Sequence, residues 1–326
     1  MPKNDEMLWT EKYRPDSLDK IVGQPFIPTI QTLIKQKFMT SFLFVGAQGT
    51  GKTATAKAIA KELYGKEWKQ HFYELNASDE NRVEVIRSKI KDYSKTYPGD
   101  YPFNIIFFDE ADYLTRQAQA ALRRTIELSH RTCRFIFSCN YPHKIIDPIK
   151  DRCVEFRFRA LTQMDLKKII QKVAKEENLK ISPSSIMTLA AFCHGSGRMA
   201  LGKLQVLSKV CNGGEITDKM VYDVSYSIDM PVLKGLMNFI LKGDLRKADQ
   251  YLFKLLFEKA YSYSEILIAI YELVLGSPKL ENKVKAKILS QIGLVETRIS
   301  GQGGDAYLQL RTFLSWLALT LESLNT

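Results

Sequence analysis

The most constraining feature of this chain is an octet, Gly46-Ala47-Gln48-Gly49-Thr50-Gly51-Lys52-Thr53, that fits G-x-x-x-x-G-K-[ST]. A short apolar run, Phe42-Leu43-Phe44-Val45, leads into it, and an Ala-rich segment from Lys52 to Tyr64 leads out. The first predicts a buried strand and the second a helix. A loop of this kind lets backbone N–H groups turn toward a phosphate without Cβ clashes, and the following helix presents its positive end to the same anion. Gly46, Gln48, Gly49, Thr50 and Gly51 make the cradle, Lys52 reaches the outer phosphates, and Thr53 supplies a hydroxyl for Mg²⁺. With glycine at ~7% of residues, a chance match in a chain of this length is on the order of one in a hundred.

The surroundings continue the pattern. Between Ser41 and Phe158, short apolar runs (His71–Leu75, Phe103–Phe108, Cys133–Cys139, Val154–Phe158) alternate with helical stretches at Arg82–Lys95 and Arg116–Leu128. Strands of this length separated by helices predict a parallel α/β sheet. After Leu161 the strands are expected to stop. Helices are expected from Met164 (start marked by Thr162), Ser182-Pro183 and Arg198. From Pro231 onward the chain again reads as helix throughout. The expected division is a nucleotide-binding domain over 1–161, a small helical domain over 162–228 and an all-helical domain over 229–326.

The composition limits the remaining options. The chain has 326 residues, 45% hydrophobic and 25% charged, ordinary values for a folded protein of two or three domains. Its longest apolar runs fall short of the ~18 residues needed to span a bilayer. The charged start, Pro2-Lys3-Asn4-Asp5-Glu6, does not read as a secretory signal, so a soluble intracellular protein is expected. Five cysteines without a C-x-x-C pair, and four histidines, read as buried thiols rather than a zinc site or disulfides. The net charge of +11, not gathered into a tail, favours an anionic partner, nucleic acid first.

Two further segments carry chemistry. Ile105-Ile106-Phe107-Phe108-Asp109-Glu110-Ala111-Asp112 ends an apolar strand in carboxylates. Beside a phosphate loop, Asp109 is placed to hold the Mg²⁺ shell and Glu110 to deprotonate an attacking water. Asn140 closes the next strand, where α/β sheets bind ligands, and can position the water or touch the γ-phosphate.

Together with Trp9-Thr10-Glu11-Lys12-Tyr13-Arg14-Pro15, Val22-Gly23-Gln24, Glu74-Leu75-Asn76-Ala77-Ser78-Asp79-Glu80, Gln119-Ala120-Ala121-Leu122-Arg123-Arg124-Thr125 and Ser138-Cys139-Asn140, these residues resemble the small subunits of replication factor C, the AAA+ clamp loader of archaea and eukaryotes. Gly301 to Leu310 is similar to that family's collar motif. The resemblance implies an AAA+ domain, a helical lid and an all-α collar. It implies ATP with Mg²⁺, an adenine bordered by Tyr13, Arg14, Pro15, Val22 and Gly23, and a lid arginine, Arg198, that senses the γ-phosphate. Arg152 matches the arginine finger that completes a neighbour's site in trans. Asp151 stands before it where the family usually has Ser, and this carboxylate could pair with the finger. Implied partners are the large subunit and other small subunits of a pentameric ring, the PCNA sliding clamp and primer–template DNA, with no membrane. A cytoplasmic location in an archaeon is expected, or a nuclear one in a eukaryote.

Arg87, Lys91 and Lys95 recur along one helical face, beside an apolar stripe containing Ile90 and Tyr93. By itself that is an ordinary surface helix. The resemblance implies duplex contacts through Arg82, Arg87 and Lys91, with Thr115 adding a helix N-terminus. It also implies a clamp contact at Ile90 and Tyr93, which could equally be core. Two rivals stand beside a clamp loader: an AAA+ DNA motor of another type, such as a branch-migration helicase or repair-specific loader, and an ATP-binding scaffold that does not hydrolyse.

Overall fold

The computed structural model describes residues 7–78, 90–225, 230–278, 280–302 and 305–322. The chain divides into two compact units, Met1–Thr217 and Asp218–Thr326.

The first unit is built on five parallel strands: β1 (Ser41–Gly46), β2 (Phe72–Asn76), β3 (Asn104–Asp109), β4 (Cys133–Cys139) and β5 (Cys153–Phe158). Their order across the sheet is β2-β3-β4-β1-β5. Phe44 pairs with Ser138 on one side and Phe156 on the other, and Phe107 pairs with Ile136. The central strands are mostly apolar because both faces are covered. Alternate residues go to opposite layers. Phe42, Phe44, Ile105, Phe107 and Ile136 pack toward the helices Ile27–Lys35 and Lys52–Tyr64. Leu43, Val45, Ile106, Phe108, Phe135 and Phe137 pack toward Arg116–Leu128. The Lys52–Tyr64 helix buries Ala54, Ala56, Ala58 and Ala60, small side chains that let it lie close to the sheet.

The lid helices belong to the same unit. Gln163–Glu176 opens on a complete capping box, in which Thr162 accepts from the Asp165 N–H and Asp165 accepts from the Thr162 N–H. Pro183–Ala191 and Gly197–Val210 follow, capped by the hydroxyls of Ser182 and Ser196. One expectation is corrected here: strands do not end at Leu161. Lys180–Ile181 and Glu215–Ile216 form a two-residue parallel pair in the lid, too short to leave any alternation in the sequence.

The second unit begins with the helix Asp218–Ser225. It continues with Met230–Leu241, Leu245–Phe253, Tyr263–Gly276, Asn282–Gln302 and Ala306–Glu322. Its core gathers Leu236, Ile240, Leu252, Ile266, Ile270, Ile288, Leu310, Phe313 and Leu317. A π-helical turn, Lys254–Glu258, extends the Leu245–Phe253 helix.

Candidate nucleotide site

The parallel sheet delivers three strand ends to one place. β1 runs into the glycine loop, β3 ends at Asp109, and β4 ends one residue before Asn140. This is the edge at which open α/β sheets bind ligands. Gly51, with φ of 104°, caps the Lys52–Tyr64 helix in a conformation that favours glycine.

Lys52 is 7% exposed, and its ammonium donates to the carbonyls of Gly46 (2.6 Å) and Ala47 (2.9 Å) and to Asn140 Oδ1 (3.0 Å). Burial pushes its pKa below the ordinary lysine value, and the charge of Asp109 opposes this. Thr53 Oγ1 donates to Asp109 Oδ2 at 2.7 Å. A hydroxyl and a single carboxylate are hard oxygen donors, the set that suits Mg²⁺ completed by phosphates and water. Among the described residues no three His, Cys, Asp or Glu side chains form a separate metal cluster.

Glu110 has φ of 55° and ψ of 39°, a left-handed backbone uncommon outside glycine. Its N–H donates to Asp109 Oδ1 at 3.2 Å, so the turn that re-aims Glu110 is fixed by its neighbour. Asp112, which is buried, accepts from the N–H groups of Asn140 (3.4 Å) and Tyr141 (3.3 Å). The carboxylate box therefore braces the end of β4.

A cavity of about 560 Å³ opens above these groups. Tyr13, Arg14, Pro15, Val22, Gln48, Gly49, Thr50, Gly51, Lys52, Thr53, Asp109, Glu110, Asn140 and Arg198 all line it. Gly46 and Gly23 stand just outside: Gly46 through its bond to Lys52, and Gly23 through its carbonyl, which accepts from Arg159 Nε (2.5 Å). A Cβ at Gly23 would meet Leu161 Cδ2 at 2.7 Å. Gln24, also buried, donates to the Thr50 and Arg159 carbonyls and accepts from the Arg159 N–H. The lid seats on the loop directly, because the Gly197 N–H donates to the Gly49 carbonyl at 3.0 Å.

The lid also contributes Lys168, Ile169, Lys172, Val173, Glu176 and Leu201 to the wall. Sequence reasoning did not single these out, because they share no motif and converge only through the tertiary fold.

Other expected residues lie elsewhere. Arg152 is not part of this wall. Its guanidinium pairs with Glu127 and donates to the Pro148 carbonyl (2.7 Å), so the carboxylate paired with it is Glu127 and not the adjacent Asp151, which could have taken that place. Arg82 and Arg87 fall outside the described residues. Lys91 is exposed. Thr115 is exposed and caps the Arg116–Leu128 helix by accepting from the Ala118 N–H (3.2 Å).

Ile90 is 1% exposed in the sheet's core, and Tyr93 stacks on Tyr73 (ring centres 5.1 Å apart) while donating to the Gln70 carbonyl (3.0 Å). Of the two readings left open for that stripe, these contacts support the core. The expected clamp contact is corrected at Ile90, since a buried side chain has no surface to offer, whereas Tyr93 is half-buried and keeps part of its ring at the surface.

Near Thr115 a second cavity, about 320 Å³, is lined by Arg116, His143, Lys144 and Lys150 against a single acid, Asp147. Lys144 lies over the exposed rings of Tyr113 and Tyr141, 5.6 and 4.9 Å from their centres. The sequence reading reached this region only through Thr115 and the helix start it caps.

Comparison with known proteins identifies the family. Residues 42–161 match the model of the ATPase family associated with various cellular activities (AAA), and residues 231–316 match the replication factor C C-terminal domain. The chain is 37% identical to a replication factor C small subunit of Archaeoglobus fulgidus, covering 95% of this chain and 97% of that one. It is 39% identical to those of Picrophilus torridus (94% and 96% covered) and Thermofilum pendens (96% and 97%). Among solved structures it is similar to the Thermotoga maritima RuvB Holliday junction branch migration motor, with a TM-score of 0.55 and 17% identity over 79% of this chain and 91% of that one. At that identity the likeness concerns the fold alone.

Proposed function

The chain belongs to the replication factor C small-subunit family, and from that premise we propose that it is an ATP-hydrolysing subunit of a ring that opens the PCNA sliding clamp and loads it onto primed DNA. The observation that carries the reading is the convergence of Lys52, Thr53, Asp109, Glu110 and Asn140 on one cavity large enough for a nucleotide.

Each residue has a task that its position supports. The glycine loop and Lys52 take the phosphates of ATP. Thr53 and Asp109 hold Mg²⁺, which when bound supplies Lewis-acid polarisation of those phosphates. Glu110 takes the proton from the attacking water. Asn140, bonded to Lys52, orients that water. Arg198, entering from the lid, stabilises charge on the γ-phosphate. Tyr13, Arg14, Pro15, Val22 and Gly23 border the adenine.

Arg152 is reserved for the active site of the next subunit. Its pairing with Glu127 holds it on its own surface and away from its own cavity. We keep the functional division into AAA+ domain, lid and collar at 161 and 228, although the Asp218–Ser225 helix clusters with the second unit, and the collar would join the ring to the large subunit and other small subunits.

Lys91, with Arg82 and Arg87, would track DNA phosphates. The basic cavity of Arg116, His143, Lys144 and Lys150 would offer DNA phosphates a further site. A cytoplasmic, archaeal setting accompanies the proposal. The likeness to the branch-migration motor does not favour that rival.

A ring reconstituted with this chain should place labelled PCNA on primed circular DNA in an ATP-dependent way. PCNA retained without ATP to the same extent, or never retained, would refute the loading role.

A further inference from the structure

We infer that Glu177 is a positioning residue that fastens the chain's N-terminal strap to the lid and thereby builds the base end of the nucleotide cavity. The inference rests on the ATP reading of that cavity.

The strap is the segment from Met7 to Arg14, with one helical turn at Trp9–Lys12. It is tied to the lid at two points. At its start, the Trp9 N–H donates to Gln205 Oε1 (3.0 Å), and Gln205 Nε2 donates to the Met7 carbonyl (3.2 Å). Gln205 lies on the lid helix Gly197–Val210. At its end, Lys12 Nζ and the Tyr13 hydroxyl both donate to the same oxygen, Glu177 Oε1, each at 2.5 Å. Glu177 is the C-cap of the lid helix Gln163–Glu176. The Tyr13 ring meets the buried Trp9 edge-on, with centres 6.0 Å apart, so the two anchor points brace each other.

The consequence falls on the cavity. Lys12 and Tyr13 line it from the strap, and Lys172, Val173 and Glu176 line it from the lid helix just ahead of Glu177. Glu177 is not itself one of the lining residues. It acts through Tyr13 and Lys12, which it holds against the lid where both line the cavity. Two donors on one carboxylate oxygen, one of them charged, make a charge-assisted pair stronger than a neutral contact. Burial raises the Glu177 carboxyl pKa, but the Lys12 and Tyr13 hydrogen bonds outweigh it and leave the carboxyl below its ordinary range. Burial and the bond to Glu177 push the Tyr13 phenol well above its ordinary value, so it remains a donor. The wall beside the base is therefore fastened to the lid at two points, Gln205 and Glu177.

A ligand without a base separates this role from a general loss of structure. Binding of ATP and of inorganic triphosphate to the full chain is measured by competition with a fluorescent ATP analogue. Glu177→Ala should weaken ATP about tenfold, the loss expected for one charge-assisted hydrogen-bond set, and change triphosphate by less than about twofold. Glu177→Gln keeps an acceptor and should stay within about threefold of wild type for ATP. Lys52→Ala should weaken both ligands. In the assembled ring, Glu177→Ala should raise KM for ATP with kcat within about twofold.

Equal weakening of ATP and triphosphate by Glu177→Ala would overturn the inference, as would unchanged ATP affinity while Lys52→Ala responds. If the alanine variant loses its native circular dichroism, Tyr13→Phe replaces it. About threefold weaker ATP is then expected, and no change overturns the role. A wild-type chain that binds neither ligand would instead overturn the ATP reading, and this inference with it.

Discussion

Glu110 is held in a left-handed backbone conformation at the end of β3, directly after the carboxylate that bonds Thr53. A non-glycine residue in this region costs of order 1–3 kcal/mol, and the turn persists because Asp109 and the buried Asp112 fix both sides of it. Such a cost is tolerable where it aims a catalytic group. Glu110→Gln should lower ATP hydrolysis by about 10²–10⁴-fold while leaving nucleotide affinity intact, as read by single-turnover hydrolysis beside equilibrium binding. A variant that hydrolyses normally would remove Glu110 from its role. Much of the cavity floor was legible in the sequence, because phosphate chemistry fixes residue types at fixed spacing: Lys52, Thr53, Asp109 and Glu110 stand in two short motifs. The walls were not. Lys168, Lys172, Glu176 and Leu201 reach the cavity from helices more than a hundred residues from the loop, and Glu177 and Gln205 belong to no motif.

The sheet is the element that sets this geometry. Phe107 on β3 is fully buried between Phe72 and the Lys52–Tyr64 layer, two residues before Asp109. Phe107→Ala should destabilise the chain by about 3–5 kcal/mol in urea unfolding, the cost of an aromatic cavity in a packed core. A loss below about 1 kcal/mol would show that the layer repacks freely. The central strands β1, β3 and β4 were legible because burial on both faces makes them largely apolar runs. The Lys180–Ile181 and Glu215–Ile216 pair was not, because two residues carry no period. The stripe with Ile90 and Tyr93 showed that one pattern suits a buried face and a docking face alike, and only burial placed Ile90 in the core. The cysteines follow the same layers. Cys133 and Cys139 are buried in β4, and burial pushes both thiols up to about 12. Ellman titration of the native chain at pH 8 should leave these two unreacted until denaturant is added. Rapid native labelling at either would contradict their packing.

At the scale of the whole molecule, the proposed pairing of one subunit's Lys52 with another's Arg152 would make hydrolysis a property of the ring. Arg152→Ala should leave this chain's own ATP affinity unchanged and slow hydrolysis at the adjoining site on the order of 10³-fold, measured in rings where only that site is competent. An undiminished rate there would deny the trans role. The positive balance of +11 was readable from composition, but its placement was not. Arg116, His143, Lys144 and Lys150 come together only because the turn after β4 packs beside the start of the Arg116–Leu128 helix. The most direct test of the central claim is the steady-state ATPase rate of the ring containing this chain, measured with PCNA, with primed DNA, and with both. The account predicts that both together raise turnover well above either alone, and that Lys52→Ala abolishes the contribution of this subunit. Turnover indifferent to PCNA would contradict it.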